Sequence, residues 1–172
     1  MTPSTLLLFS ALMVVLFPLC LCWHEYLHTV LARVRGWPFA TVFTPLGPLQ
    51  GSRTFAVSWV KFPSDASRLD LFLFSAAPRL FDLVALPSLA GLQLLALPFP
   101  IRVVTLALMG CWTIDFVFET FLIAVDESPA NDAWSTYRVI ENWIGFNLYL
   151  LLSLVGILGT LSLTTWTFWK AL

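Results

Sequence analysis

The stretch that decides the fold is residues 20–36, CLCWHEYLHTVLARVRG, at the end of a long apolar run. It contains the chain's two histidines, His24 and His28, with Glu25 directly after the first. On an α-helix, side chains four residues apart lie one turn apart on the same face, so the two imidazoles can converge on one ion. A glutamate following the first histidine is placed to contact a metal-bound water and act as general base, the mechanics of an HExxH helix. Two neutral imidazoles and one carboxylate suit Zn2+, held tetrahedrally with one position open. On a soluble helix, such a short motif is equally an ordinary polar helix end. At bilayer depth, however, an unpaired charge costs about 2.5–3.5 kcal/mol on insertion scales, so ionisable groups there point to function.

The rest of the chain supplies that apolar setting. Of 172 residues, 59% are hydrophobic and 11% charged, and the mean hydropathy is +0.86. Soluble domains carry about 25% charged residues, so this composition describes a membrane protein. The length accommodates a single membrane domain, residues 1–172, of about four spans at roughly 20 residues each. With a net charge of −1 and no long basic block, the chain offers no grip for nucleic acid. The cysteines, Cys20, Cys22 and Cys111, all lie in apolar runs and read as small buried hydrophobes. An odd number argues against a complete disulfide framework. The first apolar run lacks a positive n-region and a small-residue cleavage site, and is expected to be a retained span.

Charge-poor stretches place spans at about 5–31, 71–97, 103–125 and 143–168, all helical because lipid leaves backbone groups no other partner. Arg33, Arg35, Arg53, Lys61 and Arg68 cluster around the first connector. The positive-inside rule makes that connector cytoplasmic, puts both termini outside and sets the histidines near the cytoplasmic face. Trp37, Trp59, Trp134 and Trp143 then flank the inner boundary, and Trp166 and Trp169 the outer. The connector itself, GWPFATVFTPLGPLQGSRTFAVSWVKFP, alternates β-branched and aromatic segments with Gly and Pro. It is expected to form a short β-hairpin or re-entrant loop, whose edge could pair with an extended peptide. Thr54, Ala56 and Ser58 on that edge are the candidate substrate-binding residues. The expected fold class is thus an all-α polytopic membrane protein with this short element after the first span.

With no third histidine, the missing ligand must be a carboxylate or a thiolate. The third span runs in the same direction as the first and ends on the same side, bringing Asp126, Glu127 and Asp132 to the histidines. Asp115 competes: with Glu119 it forms an i, i+4 carboxylate pair in CWTIDFVFETF. It would lie roughly 15 Å from that span's inner end at about 1.5 Å per residue. Arg79 and Asp82, three apart at the entry of the second span, are expected to form a local ion pair.

At this point the motifs carry a resemblance. HEYLHTVLARVRG resembles the HExxH span of the site-2 protease family of intramembrane zinc metalloproteases. SAAPRLFD is similar to that family's Ala-Gly-Pro-x-x-Asn signature with Pro78 in register, Ala77 replacing its Gly and Asp82 standing for its Asn. DESPANDAW is similar to its Asn-x-x-Pro and Asp-Gly motif, with Asp126, Pro129 and Asp132 at the corresponding places and Ala133 after the aspartate. The likeness covers roughly residues 15–140 and leaves the fourth span outside a three-helix metalloprotease-like core. It implies that Asp132 is the third Zn2+ ligand, that Glu25 is catalytic, and that the substrate is a peptide bond in or near a transmembrane segment of a membrane protein.

Three other readings compete. A catalytically inactive relative, acting as a scaffold or accessory subunit beside partner subunits, fits the departures from the family pattern. A di-iron oxygenase could use Glu25 and His28 with Asp115 and Glu119, but a second Glu-x-x-His pair is missing. A carrier would be expected to show an inverted repeat or a pair of broken helices, and neither is visible.

Overall fold

The computed structural model describes residues 3–43, 56–121 and 132–171. The described chain is mostly helical. The elements run α1 (Pro3–Arg35), β1 (Phe39–Phe43), β2 (Ala56–Val60), α2 (Arg68–Gln93), α3 (Phe99–Phe121), α4 (Asp132–Ile140) and α5 (Phe146–Ala171). Three of them, α1, α3 and α5, are long and apolar enough to cross a membrane. The 26-residue α2 has the length but is the least apolar of the four long helices. Arg68, Asp70, Arg79 and Asp82 all lie on it. Exposed helix surfaces are rich in Leu, Val and Phe, and Trp143, Trp166 and Trp169 are exposed near the ends of α5.

α3 is the central element, packing on α1, α2 and α5 and touching α4. Its contacts use small residues, which let helix backbones approach where no hydrophobic effect drives them together. Ala107 and Cys111 on α3, Ala32 and Cys20 on α1, and Ala76 and Ala90 on α2 are all buried. At Gly110 the approach is tight: an added Cβ would lie 3.0 Å from the Met13 Sδ. An apolar cluster of Leu86, Leu89, Ala90 and Met109, with Trp112 and Leu163 against it, joins α2, α3 and α5 at the end away from the histidines.

α1 stops where its sequence says it must. Gly36 takes a positive φ of 68°, its N–H donates to the Arg33 carbonyl, and the Trp37 N–H donates to the Ala32 carbonyl. This Schellman arrangement satisfies the last carbonyls of the helix, and glycine adopts that backbone without a Cβ penalty. The chain then enters β1, which pairs antiparallel with β2 from Phe39 opposite Val60 to Phe43 opposite Ala56. The connection between these strands, including Thr54, lies outside the described residues; Ala56 and Ser58 are backbone members of β2.

α2 opens with a cap. The Ser67 hydroxyl accepts from the Asp70 N–H at 3.1 Å and donates to the Asp70 carboxylate at 2.8 Å. The other Asp70 oxygen receives the Arg35 guanidinium at 2.6 Å, tying the end of α1 to the start of α2. Asp70 is held below the usual carboxylate range by the Ser67 hydroxyl first and by Arg35 next, against the opposing effect of burial.

Candidate metal centre

His24 and His28 are buried on the face of α1 turned toward α2 and α3, with ring centroids 5.3 Å apart. Both Nε2 atoms meet one carboxylate oxygen: Asp132 Oδ2 is 2.8 Å from His24 and 2.8 Å from His28. Among the described residues, these three form the His/Cys/Asp/Glu group whose ligand atoms lie close enough together to hold a metal ion.

The opposite ring nitrogens are tied off. His24 Nδ1 lies 2.7 Å from Asp115 Oδ2, and His28 Nδ1 lies 2.8 Å from the Phe74 carbonyl oxygen. A carbonyl and a carboxylate can only accept, so each Nδ1 carries the proton and donates it. This sets the tautomer of both neutral imidazoles and turns an Nε2 lone pair toward Asp132. Metal-bound histidines are typically held this way by an outer carboxylate or carbonyl. Asp115, the alternative ligand by sequence, therefore contacts the far nitrogen of His24 and orients the ring.

The arrangement requires a positive charge at its centre. Two imidazole lone pairs and a carboxylate oxygen are mutually repulsive, and only protons or a cation between them can hold them at 2.8 Å. Around zinc, tetrahedral ligands at about 2.0–2.1 Å stand roughly 3.3 Å from one another. Each Nε2–Oδ2 pair thus needs to open by only about 0.5 Å to hold that ion, the three donor atoms lie within 4.8 Å of one another, and the donor types fit it. When the rings instead carry protons on Nε2 as well, Asp132 is kept well below the ordinary carboxylate value: burial pushes it up, but the charge of His28 and hydrogen bonds from both imidazoles outweigh that.

Asp132 reaches the histidines because α4 is fastened at two points. The Thr136 hydroxyl donates to Ser75 on α2 at 3.2 Å, and the Tyr149 hydroxyl on α5 donates to the Ala133 carbonyl at 3.0 Å. Ala133 and Thr136 are buried beneath it. Glu25 is half-buried beside His24 and is an electrostatic neighbour of His28. Asp126, Glu127 and Pro129 lie outside the described residues.

A further group of charges lies beneath the centre. Arg79 and Asp82 on α2 are 8% and 3% exposed. The expected Arg79–Asp82 ion pair is replaced by a cross-helix one: the Arg79 guanidinium lies 3.9 Å from Glu119 on α3. That separation exceeds hydrogen-bond length, and among the described residues the Arg79 nitrogens have no hydrogen-bond partner. Glu119 and Asp82 are the carboxyl groups for which this guanidinium is an electrostatic neighbour.

Sequence reasoning passed over Phe74, Thr136 and Tyr149. Phe74 acts through its backbone carbonyl, which carries no residue signature. Thr136 and Tyr149 had a detectable signal in their place, since each lies within 20 residues of the DESPANDAW motif. Comparison with known proteins finds no matching family model, no matching curated protein and no matching solved structure.

Proposed function

We propose that the protein is an intramembrane zinc metalloprotease that hydrolyses a peptide bond in or near a transmembrane segment of a membrane protein. The observation that carries this reading is the convergence of His24 Nε2, His28 Nε2 and Asp132 Oδ2, with both Nδ1 atoms held by Asp115 and Phe74. The HEYLH spacing adds a base beside it.

Bound here, zinc supplies Lewis acidity and brings the pKa of a coordinated water to about 7. The chain's own residues do the rest. Glu25 takes a proton from the attacking water and returns it to the leaving amine nitrogen. Asp115 and the Phe74 carbonyl keep the imidazoles oriented, and Asp132 completes the ligand set. A helical substrate hides its scissile bonds, so it must be held extended; an edge of the β1–β2 pair would offer main-chain groups for that. In the bilayer, α2 forms a fourth span beside α1, α3 and α5, with both termini outside and the metal centre near the cytoplasmic face, as the basic first connector favours.

The test is cleavage of a co-expressed membrane peptide by the wild type and by Glu25→Gln, with zinc measured in both purified proteins. The expected result is equal zinc and cleavage only by the wild type. Zinc without cleavage in the wild type points to a scaffold that has kept its metal. Equal cleavage by both proteins removes Glu25 from the chemistry and overturns the proposal.

A further inference from the structure

A second cluster of metal-binding atoms lies one turn before His24. α1 and α3 run parallel, and the offset of 91 residues that pairs His24 with Asp115 also pairs Cys20 with Cys111. Both thiols are buried, at 4% and 0% exposure, and they interact side chain to side chain. The Met13 thioether, seven residues before Cys20 on the same face of α1, lies with its Sδ 3.5 Å from Cys111 Sγ. The thiol also lies 3.9 Å from the Met13 carbonyl. Cys111 thus has both a thioether and a thiol of α1 as side-chain neighbours, where the sequence reads the cysteines chiefly as small buried hydrophobes.

We propose that Met13, Cys20 and Cys111 form a soft-metal site that takes a monovalent d10 cation of the Cu(I) type. Thiolate and thioether ligands select Cu(I) over harder ions. The cluster has no imidazole or carboxylate among its three donors, which distinguishes it from the zinc centre one turn away. The chemistry balances without any change of oxidation state. One thiol loses its proton to solvent and its sulfur bonds the metal, while the other thiol and the thioether donate lone pairs. One positive charge enters as one leaves, so the site stays neutral, as an apolar interior demands. Gly110 aids the arrangement, because its missing side chain leaves room for the Met13 Sδ.

The experiment uses the full chain purified in detergent, titrated anaerobically with Cu(I) against a chromogenic Cu(I) chelator, with zinc measured in parallel. The expected result is about one Cu(I) per chain bound in the presence of zinc. Cys20→Ser and Cys111→Ser should each weaken it by at least tenfold, Met13→Leu by less, and Cys22→Ser not at all. Unchanged Cu(I) binding in the Cys20→Ser/Cys111→Ser double variant overturns the site, as does its loss in Cys22→Ser. Should the double variant not fold, X-ray absorption of Cu(I) in the wild type decides: a shell of sulfur alone supports the site, and nitrogen or oxygen neighbours overturn it. Neither readout depends on proteolysis, so failure here is separable from failure of the protease reading.

Discussion

His24 Nδ1 and Asp115 Oδ2 meet at 2.7 Å across the α1–α3 contact, both buried. In the proposed zinc site this bond would make Asp115 an outer partner, with a measurable role distinct from that of Asp132. Replacing Asp115 by Asn should cost about 10–100-fold in zinc affinity, the usual effect of losing an outer-shell partner. Asp132→Asn removes a ligand and should cost more. Zinc retained after dialysis against graded chelator orders the two variants, and the reverse order would mean that Asp115 is the ligand.

Acidification should release zinc. The imidazoles bind metal only when Nε2 is unprotonated, so protons compete with zinc, and affinity falls as pH falls. Asp132, held below the ordinary carboxylate range, remains ionised throughout mild acid. Loss in mild acid therefore belongs to the histidines. Zinc content across a pH series checks this, and retention unchanged down to about pH 4 would contradict imidazole ligation.

Gly110 sets the separation of α1 and α3. Gly110→Ala should be tolerated, because the Met13 thioether end can give way by a few tenths of an ångström. Gly110→Leu overpacks the contact and should cost about 1–3 kcal/mol. Because His24 and Asp115 belong to the same helix pair, zinc affinity should fall with it. Thermal unfolding in detergent, followed alongside zinc content, reads both effects.

Tyr149→Phe deletes the hydroxyl that holds the Ala133 carbonyl next to Asp132. A hydrogen bond of this kind contributes about 1 kcal/mol, so proteolysis should slow by about fivefold. The base and both histidines remain, and some activity should persist. Complete loss of activity in a folded protein would assign Tyr149 a more direct role.

The Ser67 cap links stability to pH. Ser67→Ala should destabilise the protein by about 1 kcal/mol. Asp70 has a folded-state pKa below its ordinary value, through Ser67 and then Arg35. Its contribution is therefore present above about pH 4 and disappears as pH falls through the lowered value. Unfolding midpoints from pH 7 to 3 should show a smaller acid-side drop in Ser67→Ala than in the wild type.

How much of this was readable in advance varies with the kind of interaction. The shared face of His24 and His28 follows from their spacing, and the apolar runs locate the long helices to within a few residues. The end of α1 was written in Arg33–Gly36. The part played by Asp115 was not legible, because depth counted along one straight helix says nothing of how two helices register against each other. Arg79 was assigned to Asp82 on its own helix, whereas packing brings Glu119 from α3 within 3.9 Å. The nine-residue α4 has too few turns for its periodicity to stand out between polar neighbours. The carbonyl of Phe74 has no signature at all, since every residue possesses one.

The two clasps on α4 have a consequence for biosynthesis. The imidazoles lie on α1, but the aspartate opposite them is secured from α5, which follows it in the chain by more than 100 residues. On the proposed reading, a nascent chain offers no complete ligand set until α5 has followed α4, and metal acquisition comes after the synthesis of both.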